Sequence, residues 1–219
     1  MFKLRKSSGN GLPNPQGGSS EYKHLIYLSL IFFVIAMIIH CISGIYVSTA
    51  QAVHVPDLIL DHVRPVNVGF FYIYGYMVLF TALFLYPGLY HTRTLHVVIS
   101  QFSILVILRS IFISFTHLQT PPDAIPVTFP WLFQEMSFQN DMFFSGHTAI
   151  PFLGFLLFKE RIRYFFLFGS IVMGIVVLLA HIHYSIDVMA AFFITYSSFK
   201  MGNVLIEKAE QYVRNDSFL

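Results

Sequence analysis

Two short motifs carry the residue types of phosphoryl-transfer chemistry. One is SGHT, with Ser145, Gly146 and His147. The other is HIHYSIDV, residues 181–188, with His181, His183 and Asp187. In a helix, the four-residue spacing puts His183 and Asp187 on one face. A carboxylate so placed accepts the proton of one ring nitrogen, fixes the tautomer and leaves the other nitrogen as a nucleophile. A second histidine, His147, can give a proton to a leaving alkoxide and later take one from an acceptor. Gly146 lets backbone approach a ligand closely. Ser145 and the amides at a helix start can hydrogen-bond phosphate oxygens, helped by the helix dipole. Together these parts describe transfer through a phosphohistidine.

Phosphate also needs cationic partners. Arg109, in ILRSIF, is the one arginine inside an apolar segment. It is costly there unless it pairs or lines a polar cavity. Contact with phosphate is the reading taken, against a structural pair with a carboxylate such as Asp123. Arg64 is the second candidate. His40, His54, His62, His91, His96 and His117 read as structural. His181, two residues from His183, faces away from the pair and reads as a bystander. His181, His183 and Asp187 are also zinc-ligand types, but positions i and i+2 point to different sides of a helix and no further His or Cys supports them. No metal site is expected.

The residues around these motifs are those of a membrane protein. The 219-residue chain is 56% hydrophobic and only 11% charged, where soluble domains carry about 25%. A net charge of +2 and the lack of a basic aromatic groove argue against nucleic acid. The lone Cys41 lies in an apolar run and reads as a small buried hydrophobe. No internal repeat is apparent. Six apolar segments fall at 25–48, 67–90, 95–118, 142–158, 164–181 and 183–205, each near the ~20 residues that cross a bilayer. The fourth is short, and the last two form a tight hairpin. A signal peptide ending near Ala50-Gln51-Ala52 is disfavoured, because the first run is longer than a signal core.

Orientation follows from the basic residues. With both termini cytosolic, Lys3, Arg5, Lys6, Lys23, Arg93, Lys159, Arg161, Arg163, Lys200, Lys208 and Arg214 share the cytosolic side, and only Arg64 and Arg109 fall towards the other. The outer ends collect Asp57, Asp61, Asp123, Glu135, Asp141 and Asp187. His147 and His183 then lie at similar depth near the outer interface. The sequon Asn215-Asp216-Ser217 falls in the cytosol and is expected to stay unmodified. Ser170 and Gly174 allow close helix packing. The loop 120–136 is read either as an interfacial gate or as a plain connection.

SGHT followed by HYSID at 183–187 resembles the type-2 phosphatidic acid phosphatase (PAP2) superfamily. Within it, the sphingomyelin synthase branch is the more similar: NDMFFSGHTAIPFLGFLLFKE at 140–160 and HIHYSIDVMAAFFITYSSF at 181–199 look like its last two blocks. VPDLILD at 55–61 and LRSIFISFTHLQTPP at 108–122 look like its first two. The resemblance implies that His183 is the nucleophile, Asp187 its orienting carboxylate and His147 the general acid/base, with Arg109 matching the arginine of the second block. It implies head-group transfer from a glycerophospholipid to ceramide on the lumenal or exoplasmic leaflet, with no metal or cofactor. The lysine–arginine block and the Ser-Arg pair of the general phosphatases are not present in full; DHVRPVN at 61–67 keeps only an Arg-Pro.

The expectation is therefore an all-α polytopic membrane protein with six transmembrane helices in a PAP2-like bundle. A disordered cytosolic tail spans 1–24, the catalytic domain 25–205 and a cytosolic tail 206–219. Its activity would be that of a phosphotransferase, moving phosphocholine or phosphoethanolamine to ceramide or a similar acceptor. The alternatives are a lipid phosphatase or phospholipase C-type hydrolase using water, and a non-catalytic lipid-binding scaffold. The expected partners are membrane lipids and not nucleic acid; self-association into a homo-oligomer is left open.

Overall fold

A computed structural model describes residues 19–127 and 138–216. Most of the expected tail at 1–24, Glu135, most of the loop 120–136 and Ser217 of the sequon lie outside the described residues. Among the described residues the chain is all-α, with six helices and no strand. They are α1 (Ser19–Thr49), α2 (Tyr76–Tyr90, entered through a π-helical turn at Phe71–Gly75), α3 (Leu95–Phe115), α4 (Gly146–Leu157), α5 (Ile162–Leu179) and α6 (Ser185–Asp216). Each covers one of the six apolar segments.

Four of them are long and apolar enough to cross a bilayer: α1, α2 with its π-turn, α3 with the turn before it, and α5. The other two fall short for different reasons. α4 has 12 residues, about 18 Å of helix, well under the ~30 Å of a hydrocarbon core. α6 has 32 residues, but Thr195, Ser197, Ser198, Lys200 and Asn203 dilute its apolar character. Several apolar helices of this kind suggest an integral membrane protein.

Two boundaries differ from expectation. α1 begins at Ser19, inside the stretch read as tail. α6 continues to Asp216, through the stretch 206–219 also read as tail. Hydropathy ends at residue 205, but Glu207, Lys208, Glu210 and Gln211 are good helix formers. His96 Nε2 meets Glu210 Oε1 at 3.0 Å and fastens that extension to α3.

α3 is the central helix. Of its apolar window 61% is buried, against 17% for α1. It packs against α1 on one side and α6 on the other, while α4 lies against α5 and α6. Phe102, Leu105, Leu153, Leu157, Phe166, Met173 and Phe199 fill the core between them. Deep in the bundle Gln101 Nε2 donates to Asn203 Oδ1 at 2.8 Å and to the Phe199 carbonyl at 3.2 Å.

Small residues bring the helices of the site together. The Ser170–Gly174 pair does so as expected. Ser170 Oγ donates to the Thr148 carbonyl on α4 at 2.8 Å, and Gly174 lies under Val188 of α6 and Thr148. At Gly154 of α4 an added Cβ would fall 2.5 Å from the Phe166 ring, and that ring is fully buried. Gly154→Val is expected to lower stability by about 1–3 kcal/mol through overpacking, read as a drop in the thermal unfolding midpoint in detergent.

Candidate active site

α4 and α6 both begin at one end of the bundle, and this brings the two motifs together. α5 ends at Leu179 and α6 begins at Ser185, so His183 sits just before α6 rather than as its first residue. The expected pairing forms all the same: His183 Nδ1 lies 3.0 Å from Asp187 Oδ2. The reason is capping. Asp187, in the first turn of α6, turns its carboxylate back and accepts the Tyr184 amide at 3.1 Å, as the acidic residue of a capping box does. The same oxygen then meets the imidazole. His183 is 4% exposed and Asp187 0%. With an ionised carboxylate at Nδ1, that nitrogen carries the proton and Nε2 keeps its lone pair.

Asp187 also fastens the SGHT segment. Its Oδ1 accepts the Phe143 amide at 2.9 Å, and its carbonyl accepts the Ser145 amide at 3.3 Å. One residue therefore orients the candidate nucleophile, caps α6 and docks the lead-in to α4. That lead-in is held in unusual backbone conformations: Asn140 has φ 58° and Phe143 φ 82°. The third non-glycine residue with positive φ is His181, at 55°, so all three among the described residues flank the two motifs. Such conformations cost free energy and concentrate at functional sites.

His147, on the first turn of α4, lies between two tyrosines. Its ring stacks on Tyr72 at 4.1 Å and 21° and faces Tyr76 at 4.2 Å and 39°. It is within Coulombic range of His183 and Arg109. The two tyrosines fix the ring plane.

Arg109 comes to the same end from α3. Its Nη2 donates to Asp141 Oδ2 at 2.7 Å and its Nε to the Phe144 carbonyl at 3.0 Å. The structural partner is thus Asp141 and not Asp123, because Asp141 sits in the SGHT lead-in directly over α3. Nη1 has no protein partner among the described residues. Gly146 lies beside the guanidinium, where an added Cβ would fall 3.4 Å from Nε. Lysine can keep one of the two contacts but not the fork. If the site carries out the phosphotransfer expected from its sequence, Arg109→Lys should lower kcat/KM by about 10²-fold, measured as head-group release from labelled phospholipid.

The remaining expected residues divide. Ser145 is fully buried; its hydroxyl accepts from Thr148 Oγ1 at 3.3 Å and its amide is spent on Asp187. Arg64 is exposed in the first loop and makes no hydrogen bond or ion pair with His147, His183 or Asp187. His181 is 4% exposed and buried apart from the pair. Among the described residues no three His, Cys, Asp or Glu side chains are arranged to hold a metal ion.

Sequence reasoning did not single out Tyr72, Tyr76, Asp57 or Asp141 for the site. The i, i+4 spacing of the tyrosines at the outer end of the second apolar segment was the available signal. Asp57 works through α6. Its Oδ2 accepts the Ser185 amide at 2.7 Å and the Ser185 hydroxyl at 2.8 Å, while its Oδ1 accepts the amides of Ile59 and Leu60. Burial would push its carboxyl up, but the Leu60 and Ser185 amides, the Ser185 hydroxyl and the Ile59 amide outweigh that and hold it below the usual range. A lowered native pKa stabilises the fold above the unfolded value of about 4, and that gain is lost as pH falls through the native value. Asp57→Asn is expected to cost about 1–3 kcal/mol at neutral pH. The gap to wild type should close as pH drops below about 4, as thermal midpoints across a pH series would show.

No curated protein and no solved structure matches the chain. Residues 140–204, which hold both motifs, match the family described as PAP2 superfamily C-terminal, and this match supports placing the chain in the PAP2 superfamily.

Proposed function

We propose that the chain is a membrane phosphotransferase that moves a phospho-alcohol head group, phosphocholine or phosphoethanolamine, from a glycerophospholipid to ceramide or a similar lipid acceptor. The PAP2 match suggests phosphatase- or phosphotransferase-type lipid chemistry, and members of that superfamily are generally enzymes acting on phospholipids. The observation that carries the reading is the 3.0 Å contact of His183 Nδ1 with Asp187 Oδ2, with His147 and Arg109 at the same end of the bundle. The absence of a full general-phosphatase pattern in the sequence favours the sphingomyelin synthase-like branch.

In the proposed reaction, His183 Nε2 attacks the donor phosphorus. An N–P bond forms as the P–O bond to diacylglycerol breaks, and the imidazolium of His147 gives its proton to the departing oxygen. His147, now neutral, takes the proton of the acceptor hydroxyl. The acceptor oxygen then forms the new O–P bond as the N–P bond breaks, and both histidines return to their starting states. Arg109 Nη1 and the start of α4 at Gly146 supply positive potential to the non-bridging oxygens. In this reading all six helices lie in the membrane, α4 as a short and incompletely spanning element. Both termini are cytosolic, and the site faces the lumen or exterior.

The test uses the purified full chain with head-group-labelled phosphatidylcholine or phosphatidylethanolamine, with and without ceramide. Ceramide-dependent labelled sphingolipid is the expected product. Labelled water-soluble phospho-alcohol alone would make the protein a hydrolase. No turnover of any lipid donor by the wild type would overturn both and leave a non-catalytic scaffold.

A further inference from the structure

One polar group beside His147 has no part in the proposed reaction. It is the hydroxyl of Tyr76. The Tyr76 ring faces His147 at 4.2 Å and 39° and meets Phe80, one turn further along α2, at 5.9 Å. Its oxygen has no hydrogen-bond partner among the described residues. A phenol held away from water normally finds one. Tyr22, Tyr86 and Tyr184 follow that rule, donating to the Thr92 carbonyl, to Glu160 Oε2 and to the Gln119 carbonyl. Tyr76 departs from it. Nor is its oxygen sealed by protein, as His40 Nδ1, Gln101 Oε1 and Thr195 Oγ1 are. Tyr76 is half-buried, and its hydroxyl is open to a ligand.

The neighbours of that hydroxyl say what the ligand is. Arg109 and Asp141 both lie within Coulombic range of the phenol, and Arg109 acts on it the more strongly. Asp141 Oδ2 already takes Arg109 Nη2 at 2.7 Å. The phenol is thus on the guanidinium side of that pair. His147 also lies within range of Arg109. A phenol O–H, a guanidinium and an imidazole therefore converge from α2, α3 and α4. A neutral donor beside a cationic one suits an anionic oxygen that accepts from both. The backbone is adapted at the same place. The π-helical turn Phe71–Gly75 falls between the two tyrosines that hold His147, and such turns are frequent at functional sites.

We infer that Tyr76 is a further catalytic residue, whose hydroxyl donates to a non-bridging oxygen of the phosphoryl group as that group passes between a lipid oxygen and His183. Arg109 Nη1 serves the same group from the other helix. No proton is transferred: the hydroxyl keeps its hydrogen, and the contact strengthens as charge builds on the oxygen. The inference rests on the phosphotransfer reading, which supplies the phosphoryl group.

The test is Tyr76→Phe in the full chain in detergent. Phenylalanine keeps the ring on His147 and removes only the oxygen, so packing alone predicts no change. Orthovanadate, whose five-coordinate form resembles a transferring phosphoryl group, is titrated and followed by the thermal midpoint. The variant should match wild type without vanadate and bind it about tenfold more weakly. With head-group-labelled phosphatidylcholine, kcat should fall by about 10–10²-fold with KM little changed. Equal vanadate affinity or equal kcat in wild type and Tyr76→Phe overturns the role of Tyr76 and leaves the phosphotransfer reading standing. A loss confined to KM overturns it as well, since the contact would then belong to the bound substrate alone. Weakened vanadate binding by the variant, with no lipid turned over by the wild type, would sink the phosphotransfer reading and leave the oxyanion contact. A wild type that neither binds vanadate nor turns over any lipid donor overturns both.

Discussion

His183→Ala is expected to reduce head-group transfer to background, a loss of at least about 10³-fold in kcat. In the proposed reaction alanine removes the nitrogen that forms the N–P bond. Arg109, His147 and the start of α4 remain, so lipid binding should change little. The fold should survive as well. Asp187 loses one of its three side-chain contacts but keeps the Phe143 and Tyr184 amides. An unchanged thermal midpoint with no transfer is the expected pair of results. Transfer at more than a tenth of the wild-type rate would remove His183 from the chemistry.

Asp187→Asn should be nearly as severe and for a different reason. The carboxylate accepts from three donors: Phe143 N–H at one oxygen, and Tyr184 N–H with His183 Nδ1 at the other. An amide offers one oxygen. If it faces Phe143, its NH₂ meets Tyr184 and His183, and the imidazole must move its proton to Nε2, the attacking nitrogen. If it is turned over, the Phe143 amide is left unpaired and the SGHT segment is released. We expect kcat to fall by about 10³–10⁴-fold, the size found where a carboxylate fixes a catalytic imidazole's tautomer. Stability should fall by about 1–3 kcal/mol for the buried donor left unsatisfied. A loss of stability without a change in kcat would make Asp187 a cap and nothing more.

The helices and the site were legible to different depths. Runs of apolar residues located all six helices, because in a lipid-facing chain hydropathy is the dominant constraint. Helix ends were less legible. The polar continuation of α6 past residue 205 depends on helix propensity and on His96 meeting Glu210, a contact between distant parts of the chain. His183 was placed as the first residue of α6 by spacing alone, whereas the capping contact of Asp187 lets it stand just outside and still make its bond. The partner of Arg109 was missed because several acidic residues fall at that end and only the fold decides which one arrives. The tyrosine sandwich on His147 and the anchoring of α6 by Asp57 join elements far apart in the chain; the i, i+4 spacing of Tyr72 and Tyr76 pairs them with each other but does not name His147 as what they hold. The helical spacing used to turn His181 away from His183 does not apply to it, since the segment 180–184 is a turn and the φ of His181 is 55°.

The most direct measurement is to trap the intermediate. The full chain is mixed with head-group-labelled phospholipid without acceptor, quenched within seconds in base, where an N–P bond survives, and digested for mass spectrometry. The account predicts a phospho-alcohol on the peptide carrying residues 181–188, attached at His183 and discharged when a lipid acceptor is added before the quench. It should be absent after His183→Ala and slow to discharge after His147→Ala. Turnover that proceeds with no adduct on His183, or with the adduct on another residue, would contradict it.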